Sequence, residues 1–147
     1  MSYLVAELKA DHVTLKQILK EAGDLTKSAL ERVRILGQAR IALLSHLDKE
    51  NREFYPPLKT FAAHDRETAA ILEVFAKDME SIAPQALAFF DRYSNVQEVA
   101  AHIKRDVQYA IQFGADLEKL ITLLGLRIGR EERTLYPHFT RVATVTQ

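Results

Sequence analysis

Cysteine and tryptophan are absent from the 147-residue chain, and it has only five glycines and four prolines. Without cysteine there are no disulfides, thiolate zinc sites, iron–sulfur clusters or cysteine nucleophiles, so any metal must be held by nitrogen and oxygen ligands. So few glycines and prolines cannot supply the turn that an all-β chain needs about every ten residues. An excess of one charge is also missing. Twenty basic and twenty acidic side chains give a formal net charge of zero, whereas a protein that binds nucleic acid by broad phosphate neutralisation needs a basic excess. No nucleic-acid partner is expected. The N-terminal segment lacks a basic leader and an unbroken apolar stretch, and nowhere is there an apolar run of roughly 18 residues, the length that spans a bilayer. Neither signal peptide nor membrane partner is expected, and the cytoplasm is the expected address.

What is present is a globular composition, 48% apolar and 27% charged, arranged with helical periodicity. Leu4, Leu8, Leu15, Ile18, Leu19 and Ala22 recur at three- and four-residue steps up to Gly23-Asp24. A second segment runs from Ser28 through Val33, Leu36, Leu43, Leu47 and Phe54 and is expected to stop at Pro56-Pro57. A third starts near Phe61, passes Ile71, Phe75, Met79 and Ile82, and meets Pro84, with a resumption as far as Tyr93. A fourth follows a cap at Ser94-Asn95 and continues through Val99, Ile103, Val107, Leu117, Leu120, Leu124 and Leu135, with Gly114 as its expected weak point. The fold expected is all-α: an antiparallel up-down four-helix bundle, one domain over residues 1–147. Residues 84–114 either project as a helical hairpin or fold back as an extra helix.

One pattern occurs twice. Residues 50–56 (ENREFYP) and 131–137 (EERTLYP) share E-x-R-x-(aromatic or Leu)-Y-P, which makes the second and fourth segments equivalent parts of two related hairpins. Polar residues inside the apolar stripes carry the chemical signal, because a buried polar group needs a partner. His12 sits between Leu8 and Leu15. His46 and Glu50 are one turn apart beside Leu43 and Leu47. His64 and Thr68 share a seam with Phe61, Ile71 and Phe75, and Arg127 and Glu131 continue the Leu117, Leu120, Leu124 stripe. If the chain turns at Pro56-Pro57 and Ser94-Asn95, these groups stand at one height in the bundle. Inward histidines and carboxylates at one level are the pattern of a metal site in a bundle core. Taken singly, each histidine also reads as a hydrogen-bonded core residue, and His46 with Glu50 as an intrahelical pair.

On these features the chain resembles the hemerythrin family, specifically the bacterial hemerythrin-like cation-binding domains. The resemblance rests on Asp11-His12, on His46-Leu47-Asp48-Lys49-Glu50 with Phe54-Tyr55-Pro56, on His64, and on Glu131 ahead of Leu135-Tyr136-Pro137. It implies a non-haem di-iron centre in which His12 and His46 ligate one metal, His64 the other, and Glu50 and Glu131 bridge. It further implies that the ligand could be oxygen or nitric oxide, or that the role is iron storage, sensing or delivery. The chain departs from the pattern at Arg127, where the family resemblance calls for a histidine, and at Thr68, where some members carry another. Arginine stays protonated and offers no lone pair.

The metal ligands expected are therefore His12, His46, Glu50, His64 and Glu131, holding one iron or a weakened pair, with manganese or zinc as alternatives. The partners expected are the metal ion and a small diatomic ligand, with a homodimer or protein partner also open. The competing reading is a metal-free bundle acting through protein contacts, Arg127 filling the former site as an ion pair with Glu50 and Glu131. No glycine-rich phosphate loop or serine–histidine–acid spacing points to an enzyme, and a binding module is favoured. His138 is expected to be exposed, His102 and Asp106 to form a solvated or interhelical contact, and Tyr55 and Tyr136 to hydrogen-bond near the site or pack against the adjacent proline.

Overall fold

A computed structural model describes the backbone of residues 3–146 and the side chains of residues 3–143. Its α-helices are α1 (Tyr3–Ala22), α2 (Ala29–Lys49), α3 (Tyr55–Ala62), α4 (Arg66–Arg92), α5 (Val96–Arg105), α6 (Val107–Arg130) and α7 (Tyr136–Thr146). Two π-helical turns, Glu50–Phe54 and Glu131–Leu135, join α2 to α3 and α6 to α7 without a break in the rod. No strand occurs among the described residues, and the all-α bundle expected from the periodicity is what forms.

Side-chain caps set most helix starts. Ser28 Oγ accepts from the Glu31 N–H (3.1 Å), Asp65 from Thr68, Asn95 from Glu98, and Asp106 from Gln108 and Tyr109. Arg32 reaches back from α2, its Nε–H donating to the Ala22 carbonyl at 2.9 Å, so it closes the C-terminus of α1 against the start of α2. The segment around residues 84–114 folds back: α5 packs on α2 and α6 and buries Val99 and Ala100.

Four boundaries differ from the sequence expectation. Pro56-Pro57 does not end the second helix. In the π turn the Tyr55 N–H bonds the Glu50 carbonyl five residues back, and this wider turn carries the rod into α3 with the prolines in its opening turn, where a missing N–H is tolerated. The repeat does the same at residues 131–137, with the Tyr136 N–H on the Glu131 carbonyl and Pro137 following. The true corner lies at Ala63–Asp65, past Phe61, where Asp65 caps α4. Pro84 does not interrupt α4: it is exposed, and the Gln85 amide donates to the nearby Ser81 carbonyl at 2.9 Å. The fourth segment breaks at Asp106, not Gly114, because Asp106 both ends α5 and caps α6, leaving Gly114 inside α6.

The core is in two parts. One is built around Leu15, Leu36, Phe90, Phe113 and Leu120; the other around Leu8, Phe54, Leu58, Leu135 and Phe139. Between them in sequence on α1, α2 and α6 lie His12, His46, Glu50, Arg127 and Glu131, all buried. A polar layer thus divides the apolar interior.

Candidate metal centre

His12 reaches this layer from the middle of α1 and His46 from the last turn of α2. Glu50 and Glu131 are the first residues of the two π turns. The repeated E-x-R-x-x-Y-P pattern is thus a pair of wide turns, each presenting its leading glutamate to the interior. π turns of this kind recur at functional sites because they re-aim side chains without ending the helix.

The donors converge. One ligand atom each from His12, His46 and Glu131 lie within 4.8 Å of one another, on three buried residues. His12 Nε2 is 3.5 Å from Glu131 Oε1, and His46 Nε2 is 3.4 Å from Glu50 Oε1. The Tyr136 hydroxyl, fully buried, stands 3.2 Å from His12 Nε2 and donates to Glu50 Oε2 at 3.2 Å. Burial, then the charges of Glu131 and Glu50, hold this phenol protonated far above its usual range.

Asp11 sets the orientation of His46. Its carboxylate lies 3.0 Å from His46 Nδ1 and accepts from Lys49 Nζ at 3.1 Å. With Nδ1–H donating to Asp11, the Nε2 lone pair faces the layer, the tautomer that a metal-ligating imidazole needs. His46 Nε2 has no hydrogen-bond partner within the protein, and neither do His12 Nδ1, Glu131 Oε2 or Arg127 Nε. Buried polar atoms without partners are costly, so four in one layer call for an explanation.

The electrostatics agree. Burial, and then the neighbouring Glu131 carboxylate, push Glu50 up to about 8. Burial also raises Glu131 and lowers His12, so the layer resists charge when only protein surrounds it. A cation reverses that penalty, because it favours both ionised carboxylates and neutral imidazoles. Two imidazoles with one or two carboxylates fit a divalent transition metal. The donor set present therefore suits a metal.

Arg127 is in the layer but drawn to its edge. Its guanidinium donates to the Phe75 carbonyl (2.9 Å), to Asp78 (3.3 Å) and to the Tyr55 hydroxyl (3.1 Å), and it stacks over the Phe75 ring at 4.8 Å. Toward Glu131 only Nε faces, at 3.9 Å. The predicted ion pairing with Glu131 is therefore loose, and the strong partners lie on α3 and α4.

His64 is not brought to this centre. The expectation placed it across a turn at Pro56-Pro57. With the rod continuing to Ala62, His64 falls in the exposed corner before α4, away from the polar layer. Thr68 is fully buried but serves a different contact: its hydroxyl is 2.6 Å from His138 Nε2 and donates to Asp65 at 2.6 Å. His138 is 3% exposed, contrary to the surface position expected, because α7 continues the rod beyond Pro137 and packs it against α4. His102 is half-buried and faces Glu98 at 3.7 Å, not Asp106. The role of Asp11 was not read from the sequence beyond its place in the Asp-His pair. That adjacency is a signal only once His46 is known to lie opposite.

Over residues 3–139 the chain matches the hemerythrin HHE cation binding domain. The chain belongs to the hemerythrin family. Comparison with curated proteins and with solved structures finds no match. Membership in this family of cation-binding helical domains accords with the His12, His46 and Glu131 cluster. No helix among the described residues is long and apolar enough to cross a membrane.

Proposed function

We propose that this hemerythrin-family chain holds one divalent metal ion between His12, His46 and Glu131, with Glu50 as a fourth donor. Iron is the first choice among iron, manganese and zinc. The observation that carries the reading is the convergence of three buried donors, with His46 Nε2 and Glu131 Oε2 left without a hydrogen bond of their own. When bound, the ion supplies a Lewis-acidic centre with room for an exogenous ligand. The protein's part is to hold it. Asp11 orients His46, the Tyr136 hydroxyl donates to Glu50, and the two apolar core layers keep water from the donors.

One ion rather than two follows from the ligand inventory. On the far side of Glu50 and Glu131 stands a permanently charged guanidinium, and His64 lies in an exposed corner. The role we favour is binding a small diatomic ligand, oxygen or nitric oxide, or sensing, storing or delivering iron, in the cytoplasm, with no enzymatic turnover. The burial of Arg127 favours a second reading, a metal-free bundle whose partner is another protein or a second copy. Elemental analysis of untagged protein separates them. The first reading expects close to one equivalent of metal, lost in His46→Ala. Metal-free protein that takes up no iron(II), manganese or zinc would sink it.

A further inference from the structure

Arg127 is buried in the polar layer yet has no lone pair to offer a metal. Its guanidinium is fixed by groups on the layer's edge: Nη1 donates to the Phe75 carbonyl at 2.9 Å, Nη2 donates to the Tyr55 hydroxyl at 3.1 Å, and Cζ lies 4.8 Å from the Phe75 ring centre. So held, it does not swing in to pair with Glu131. Nε, which has no hydrogen-bond partner, faces the Glu131 carboxylate at 3.9 Å. A permanent positive charge thus stands beside that carboxylate. Its counter-charge is incomplete, because Asp78 lies 3.3 Å from Arg127 but also accepts from Arg130 at 2.6 Å. One carboxylate serves two guanidiniums, and the trio stays net positive.

The charges inside the layer match a divalent ion. His12 and His46 bind a metal as neutral imidazoles, and Glu50 and Glu131 bring two negative charges, so a divalent ion leaves the donor set neutral. A trivalent ion leaves one positive charge uncompensated between the two apolar core layers, and Arg127 adds its repulsion to that cost. The outer groups do not restore the balance. Asp11 is shared with Lys49 at 3.1 Å, and Glu132, 3.7 Å from His12 Nδ1, is 33% exposed and screened by solvent. Repulsion from Arg127 grows in proportion to the charge of the ion, so the third unit of charge costs one further guanidinium interaction. At an effective dielectric of about 20, two unit charges about 12 Å apart already interact by the equivalent of roughly tenfold in affinity. An ion on Glu131 is well inside that distance, since Arg127 Nε is 3.9 Å from the Glu131 carboxylate.

We propose that Arg127 selects the valence of the bound ion: its fixed charge makes the site hold divalent ions and discriminate against trivalent ones, so that bound iron stays ferrous. The proposal rests on the metal-binding reading above, and its test keeps the two apart. Zinc(II) and gallium(III), similar in size and both without redox chemistry, are titrated into the metal-free full chain with nitrilotriacetate as competitor. Arg127→Met should raise gallium affinity about tenfold or more beyond any gain in zinc affinity. Arg127→Lys keeps the charge and should keep the gallium-to-zinc ratio of the parent. Asp78→Asn strips the guanidinium of its counter-charge and should move the ratio the other way, toward zinc, which preserves the test should Arg127→Met not fold. In iron-loaded protein, Arg127→Met should lower the iron(III)/iron(II) potential by about 59 mV for each tenfold change in ratio. A role in packing alone moves stability but neither the ratio nor the potential. Zinc binding in the parent with the same gallium-to-zinc ratio in Arg127→Met and Asp78→Asn would overturn the selector and leave metal binding standing. A parent that binds neither ion removes both.

Discussion

Replacing Asp11 by asparagine tests whether the polar layer is organised for a metal or only for packing. Asp11 lies outside the donor set, 31% exposed, and touches it through one hydrogen bond to His46 Nδ1 at 3.0 Å. Burial raises its carboxyl, but hydrogen bonds from His46 and Lys49 outweigh that and hold it below 3.8. The substitution keeps the shape and removes the charge that makes His46 Nε2 a strong donor. Losing a carboxylate behind a ligating histidine typically lowers metal affinity 10- to 100-fold, or about 1.4 to 2.8 kcal/mol. Zinc is the cleanest probe because it has no redox chemistry. The assay is competition with a chromophoric chelator on metal-free protein, with thermal unfolding run alongside. Weakened zinc binding with a metal-free melting temperature within a few degrees of the parent is the expected pair of results. If Asp11→Asn binds zinc as tightly as the parent while His46→Ala does not, the orienting role is refuted.

Other perturbations separate the parts of the layer. Arg127→Met removes a buried cation from Phe75, Asp78 and Tyr55, and should cost about 2 to 4 kcal/mol in denaturant unfolding of the metal-free chain. The same change should tighten metal binding, since a fixed positive charge has left; weaker binding would contradict the arrangement. Glu50 is held up to about 8 against 4.5 when unfolded, so between those values the folded metal-free chain keeps a proton that the unfolded chain has released. Its contribution is thus full below pH 4.5 and lost as pH rises toward 8. Urea midpoints across that window should fall, and bound metal should flatten the slope. Thr68→Val leaves His138 Nε2 buried without its partner and should destabilise by about 1 to 3 kcal/mol without changing metal content. His64→Ala should change neither quantity; loss of metal in that variant would restore the ligand that the sequence reading assigned.

The helices were legible because their cause is local. Apolar residues at three- and four-residue steps fix which face is buried, and Ser28 and Asn95 cap starts through their own side chains, whereas the caps at Asp65 and Asp106 went unread. The family resemblance was legible for the same reason, since Asp11-His12, His46 with Glu50, and the twice-used E-x-R-x-x-Y-P pattern are short-range signatures. Four of the five expected ligands, His12, His46, Glu50 and Glu131, are buried in one layer.

What the sequence could not decide was the path of the rod through its prolines. Read with ordinary helix rules, Pro56-Pro57 is a stop, and that rule sent His64 inward. The π turn overrides it: a carbonyl bonded five residues on makes room for the rings, and the corner moves past residue 62. That shift leaves His64 in solvent, and the matching turn carries His138 inside. The partners of His46 and Arg127 are likewise non-local, on α1 and on α3 and α4, so no spacing announces them. The chain by itself determined a bundle with inward histidines and glutamates. Tertiary packing decided which of them meet, because it alone sets the level at which each rod presents its side chains.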